Sequence, residues 1–361
     1  MDNYREVNLL PIKSVGASGT ETVDIAVTEP LTAIDIYFRA TNGAAVTHGT
    51  PAAACISKIE IVDGGQVYWS TTGPEAVAAA VYETGKWPAG NPDERANSGD
   101  YIQIPLLFGR YLGDESFLFS PSRLLNPQIK VTWARNAGHT VGGYTLGIRV
   151  KAMQGVAPTA TALMVKNIRT FTSAATGIEA TDLPVDLAYR RLFVSCYLFN
   201  KFWQEIITNF KIDCDVGKLI LMNLSGARFL DMIKAEWDPV QRHSTICMDD
   251  GVERESFIGN TLGAAVNTGS PAYFASCWSA FQGVLQDWSQ DDAGTSAVDI
   301  PSTVLAYGYL PWAVLAYQFG RRDDPASWFV ANRYGQVRLE LTQGVAAVPV
   351  GILLQRPTPM P

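Results

Sequence analysis

The chain has 361 residues, of which 47% are hydrophobic and 17% charged, and it carries a net charge of −7. That balance excludes a disordered chain, and no apolar run approaches the roughly 18 to 20 residues that a bilayer-spanning helix requires. The acidic balance, with no Lys/Arg cluster longer than the pairs Arg190-Arg191 and Arg321-Arg322, argues against direct nucleic-acid binding.

In chain order, "MDNYREVNLLPIK" lacks the basic start and apolar core of a secretory signal, so synthesis and retention in a cytoplasm are expected. Gly19-Thr-Glu21 with Asp24 opens strand-like sequence, and Lys58 to Gly65 alternates into a glycine turn followed by a short strand, Gln66 to Trp69. "TGPEAVAAAVYETGKW" predicts a helix opened by Pro74 and closed at Gly85. After "FGRYLGDESF", which begins at Phe108, a strand from Asn126 to Trp133 places Ile129, Val131 and Trp133 on one face. Another strand spans Tyr144 to Lys151, with Gly147 inside it.

The second half repeats this order. Gly177-Ile-Glu179 with Asp182, Lys211 to Gly217, Lys218 to Leu221, "SGARFLDMIKAEW" with Ser225 as its cap, "FGRRDDPASW" from Phe319, Tyr334 to Leu341, and Val348 to Gln355 with Gly351 follow in the same sequence. The separations between copies run 158, 153, 211, 208 and 204 residues, collinear with one jump of 58. A domain duplication with an insertion in the second copy, somewhere in 237–318, accounts for that jump. The period is far longer than the roughly 20 to 50 residues of solenoids and propellers.

Short alternating segments and abundant turn signals make each half an all-β sandwich of about eight strands. The expected organisation is two tandem jelly-roll β-sandwiches, 1–157 and 158–361, with short flanking helices and a helical or loop insertion at about 237–300. Within the insertion, Ser270 to Trp288 is apolar around most of a helix and is expected to be a buried helix. The Pro-rich end, "LLQRPTPMP", is expected to leave the ladder as an extended arm.

Catalytic chemistry is thinly represented. Cys55, Cys196, Cys214, Cys247 and Cys277 have no ligand spacing and read as buried free thiols. His48, His139 and His243 read as surface residues in loop-like stretches. Asp213 and Asp215, two apart, are expected to share the outward face of one strand, where a pair could bind Ca²⁺ or share a proton. Asp249-Asp250, Asp291-Asp292 and Asp323-Asp324 read as turn residues. Arg110 and Arg321 stand at the same point of the two copies, each followed by acids (Asp114; Asp323 or Asp324), so a guanidinium forking onto a carboxylate at a structural interface is expected. No catalytic residue, cofactor site or metal site is assigned, and no P-loop, GxSxG, HExxH or dinucleotide fingerprint occurs.

The tandem sandwiches, each with a helix after matching strands, and the passages "IPLLFGRYLGDESFLFSPSRLLNPQIKVTW" and "SKIEIVDGGQVYWSTTGPEA" resemble the double jelly-roll major capsid proteins of tailless icosahedral, lipid-containing bacteriophages. That resemblance implies a non-enzymatic virion shell protein, assembled in the host cytoplasm as a pseudo-hexagonal homotrimer. Its implied partners are neighbouring capsid trimers, vertex or penton proteins and an internal membrane. Only Arg5 and Lys13 are basic near the N-terminus, a departure from the basic or amphipathic N-terminal segment often found in family members with an enclosed membrane. Two alternatives remain open: a minor capsid or vertex protein, and a glycan amidase of the double jelly-roll peptide:N-glycanase type, for which Glu205, Asp213 and Asp215 could supply acids.

Overall fold

A computed structural model describes residues 4–44, 51–136, 138–248, 253–267, 273–279, 284–291 and 300–361. Period-two alternation builds the first half: β1 (Tyr4–Val15), β2 (Gly19–Asp24), β3 (Leu31–Asn42), α1 (Ala52–Cys55), β4 (Ile56–Asp63), β5 (Gln66–Thr71), α2 (Gly73–Thr84), β6 (Gly90–Asn91), β7 (Gly99–Leu107), β8 (Pro127–Trp133) and β9 (His139–Met153). These strands form two antiparallel sheets, ordered β1-β9-β3-β7-β6 and β2-β8-β4-β5. In β8 every second residue is buried, and Ile129, Val131 and Trp133 enter the core between the sheets. Each aliphatic side chain so buried contributes about 1.5–3 kcal/mol.

The second half supplies β10 (Thr161–Thr172), β11 (Ile178–Leu183), β12 (Arg191–Cys196), α3 (Trp203–Ile206), β13 (Ile207–Cys214), β14 (Leu219–Ser225) and α4 (Gly226–Glu236). After these come β15 (Val240–Met248), β16 (Glu253–Glu255), β17 (Ile258–Asn267), β18 (Tyr273–Ser279), β19 (Val284–Asp291), β20 (Ile300–Pro311), β21 (Val314–Gln318), β22 (Val337–Gln343) and β23 (Pro349–Pro359). The orders β10-β23-β12-β21 and β11-β22-β13-β14 reproduce those of the first half, apart from the two-residue β6 at the end of its first sheet. The fold is a double jelly roll. One parallel pairing, Ser70 with Lys166, joins β5 to β10, so that a sheet of each roll merges into one of eight strands.

Both helices begin where the repeats align. Thr72 caps α2 in a capping box with Glu75, and Gly85 ends it at φ 69°, a left-handed conformation that costs a glycine little. Ser225 caps α4 through the Arg228 N–H. Gly73 and Gly226 occupy the same first helical position, and a Cβ on either would run into a carbonyl oxygen, that of Ala53 or of Ile207.

Four expectations are corrected. The insertion is built of strands: β15-β20-β17 form one sheet and β16-β19-β18 another, and the helix expected over Ser270 to Trp288 is the antiparallel pair β18 and β19. The Pro-rich end stays in the ladder, with β23 pairing β10 as far as Thr161 with Pro359. Beyond Gln355 the neighbour β12 has ended, and since the Met360 N–H bonds to Ala160, strand alternation turns Pro357 and Pro359 toward the unpaired side, where no N–H is needed. His139 is buried, its Nδ1 3.0 Å from the Tyr144 hydroxyl and 3.5 Å from Cys55 Sγ. Asp215 lies beyond β13 in a turn at φ 50°, so it shares no strand face with Asp213. His243 is exposed on β15, whereas His48, the Asp249-Asp250 doublet and Asp292 lie outside the described residues.

Candidate functional site at the junction of the two rolls

Helix α2 is apolar almost all round because two cores share it. One side packs under its own roll, while the other lies on the outer face of the β10-β23-β12-β21 sheet, so the first core cluster takes in Phe193, Val314, Ala316 and Leu353 of the second half. The Tyr82 hydroxyl donates to the Val314 carbonyl at 2.8 Å, and its ring meets Phe193 and Trp237 at 6.1 and 4.9 Å. At the start of the helix Glu75 accepts the Ser195 hydroxyl at 2.8 Å while still closing the capping box.

At its end stands Glu83, with a side chain 3% exposed against the fully buried Arg190 and Arg191. Its carboxylate receives Arg190 Nη1, Arg190 Nη2 at 3.0 Å, Arg191 Nη1 at 3.0 Å and Gln355 Nε2 at 2.8 Å. Burial opposes ionisation of Glu83, but the Arg191 and Arg190 guanidiniums and the Gln355 amide outweigh it, and the carboxyl titrates below the usual range. Arg191 is pushed down to about 9 by burial, against the pull of Glu83, and stays protonated at neutral pH. Arg322 closes the joint, its Nη2 2.9 Å from the Tyr82 carbonyl and its guanidinium 4.3 Å from the Trp237 ring centre.

The duplicated FGR segments meet at this junction. Arg110 forks onto Asp114 through Nε to Oδ2 at 2.7 Å and Nη2 to Oδ1 at 2.9 Å, and its Nη1 reaches the Asp323 carbonyl at 2.6 Å. Phe117 packs on Trp328 at 5.6 Å beside it. The second copy is used differently. Arg321 is exposed and engages through its backbone, its N–H donating to Ser327 Oγ at 2.8 Å, while Asp324 accepts the Ala326 N–H to start a short 3₁₀ turn. Gly109 and Gly320 are required because a Cβ would strike Asp114 in one copy and the Ser327 carbonyl in the other, Gly320 also standing at φ 70°.

The remaining acids are engaged separately. Asp213 accepts the Gly217 N–H at 2.5 Å, Asp215 accepts those of Gly335 and Gln336 at 2.8 and 3.1 Å, and Glu205 accepts the Phe202 N–H at 2.8 Å. Cys55, Cys196, Cys214 and Cys247 are buried thiols that form no disulfide among the described residues. Among the described residues no group of three or more His, Cys, Asp and Glu could hold a metal ion. Sequence reasoning noticed Arg190-Arg191 only as a basic pair and missed Glu83. The available signal was two arginines opening the apolar run "RRLFVSC" and one acid ending an apolar helix.

No protein-family model and no curated protein sequence matches the chain. Solved structures do. The major capsid protein of Sulfolobus turreted icosahedral virus matches with a TM-score of 0.61 at 12% identity, over 99% of this chain and 97% of that one. The capsid of the PBCV-1 virus matches with a TM-score of 0.56 at 11% identity, covering 98% and 93%. For the major capsid protein of bacteriophage PM2 the TM-score is 0.54 at 10% identity, with 98% of both chains covered. At such identities the likeness speaks for the fold: this chain is a double jelly roll of the kind those viral capsid proteins have.

Proposed function

We propose that this chain is a major capsid protein that associates as a pseudo-hexagonal homotrimer and tiles an icosahedral virion shell. The observation that carries this reading is the shared strand order of the two rolls together with the ion-locked joint that fixes one beside the other. A shell tile with six similar wedges needs only three such chains, related by a heterologous contact that closes on itself. Arg110, Asp114 and Asp323 serve the joint within the chain, while Arg321 and Asp324, on the exposed side of the second FGR turn, are candidates for contacts to neighbouring trimers or vertex proteins. The work of the protein is then assembly, and no chemical step is assigned to it. Imaging of concentrated purified protein by negative-stain electron microscopy tests the reading: six-lobed particles and sheets or shells built from them support it. Dispersed two-lobed particles under all assembly conditions contradict it.

A further inference from the structure

The internal joint predicts its own external copy. Counting from the caps Thr72 and Ser225, Glu75, Tyr82 and Glu83 of α2 correspond to Arg228, Ala235 and Glu236 of α4. The α2 residues are occupied by the second roll, whereas Arg228, Ala235 and Glu236 are exposed. The buried residues of α4, Gly226, Phe229, Leu230 and Ile233, correspond to Gly73, Ala76, Val77 and Ala80, the side that α2 turns to its own roll. Helix α4 therefore presents outward the face that α2 uses for docking.

The receiving surface is duplicated as well. Ser195 pairs with Gly351 as Tyr37 pairs with Gly147, and Gln355 pairs with Arg191 as Lys151 pairs with Ala33, so the outer face of β1-β9-β3-β7 is the counterpart of the face on which α2 sits. Where Glu75 lies against Ser195 and Gly351 in the second roll, Ile12 of the same chain lies over Gly147 in the first, beside a depression lined by Asn8, Tyr37, Gln103 and Arg149. Both sheet edges needed for the seam are open, and each carries an exposed isoleucine. β1 and β14 are edge strands, with Ile12 64% exposed on the first and Ile220 49% exposed on the second. They correspond to β10 and β5, which join inside the chain.

Resting on the assembly reading above, we propose that α4 and the β14 edge of one copy seat on the outer face and β1 edge of a second copy, with Glu236 against Lys151 and Arg228 against Tyr37. The chemistry differs from the internal joint in one respect. Thr32 and Ala33 stand where Arg190 and Arg191 stand, so Glu236 meets a single lysine at a rim instead of two buried guanidiniums. Such pairs are screened by salt, and the contact between copies is the reversible one, separating while each chain keeps its two rolls together.

Sedimentation velocity of the full chain at low and high salt tests this on the wild type, Glu236→Lys, Ala235→Arg and the Glu236→Lys/Lys151→Glu exchange. The expected result is wild-type association that weakens with salt, a loss of about tenfold or more in affinity for each single variant with unchanged melting of the separated chain, and recovery in the exchange. Ala235→Arg leaves Lys151 and its 2.9 Å contact with Asp35 untouched, so it remains informative should the exchange fold poorly. Wild-type association that none of the variants alters overturns the proposed surface and leaves the assembly reading standing. A wild type that never associates contradicts the assembly reading itself, and the surface falls with it.

Discussion

Glu83 ends an apolar helix with two guanidiniums and a glutamine amide on its carboxylate, all out of water. Removing one partner of a buried ion cluster costs about 3–5 kcal/mol, because the partners left behind stay buried and unpaired. Glu83→Gln should therefore lower stability by about that amount in urea unfolding at neutral pH. Its folded pKa lies below the ordinary carboxylate value, so its contribution is present above about pH 4.5 and is lost as pH falls through the folded value. Asp100 behaves in the opposite sense. Burial raises it to about 7 although it accepts the Ala52 N–H at 2.5 Å and feels Arg242. The folded chain holds that proton more tightly than the unfolded one, so stability declines by up to about 1.4 kcal/mol per pH unit as pH rises from about 4 to 7, then levels off. Asp100→Asn should remove that slope when unfolding is compared at pH 5 and pH 8; an unchanged slope would place the titration elsewhere. At this scale duplication was the useful guide. It singled out Arg110 and Asp114, whose fork the structure contains, and it keeps Glu83 as Glu236 in the second copy, but it could not reveal the partners of Glu83, because Thr32 and Ala33 in the first copy carry no trace of Arg190 and Arg191.

Among the elements, the Pro74 start, the Gly85 stop and the Ser225 cap were readable because their chemistry is local, whereas the Thr72 cap emerged only with the structure. Thr72→Ala should cost about 1 kcal/mol, and somewhat more if the Glu75 bond to Ser195 loosens with it, which the Ser195→Ala variant and the double variant would separate in thermal melts. Gly226→Ala should cost about 1–3 kcal/mol through its collision with the Ile207 carbonyl, despite the better helix propensity of alanine. A gain in melting temperature for that variant would contradict the close approach of Gly226 to the Ile207 carbonyl. The strand echoes held because period two and a terminal glycine define a strand without reference to the rest of the chain. The segment from Ser270 to Trp288 was misread because an apolar run without clear alternation fits a buried helix and a buried strand alike, and only its pairing as β18 with β19 decides between them. The prolines at the C-terminus misled for a related reason: whether a missing N–H matters depends on whether a strand lies on that side, and β12 stops at Arg191.

For the molecule as a whole, the sequence disclosed two copies of one plan, and the structure adds how they are set against each other. The β5 to β10 seam and the docking of α2 join the two rolls, and a tile requires such a joint, since a loose hinge would leave the angle between wedges undefined. The chain sequence could not reveal this arrangement, because the residues that create it, Glu83 with Arg190 and Tyr82 with Val314, are separated by 107 and 232 positions. The most direct test of the account is the absolute mass of the purified protein in solution by light scattering, over a wide range of protein concentration at low salt. Three copies of the 39.2 kDa chain, about 118 kDa, at the upper end of that range, falling toward one copy on dilution, is the predicted result. A single 39.2 kDa species at every concentration would contradict the proposal that this double jelly roll is a capsid tile.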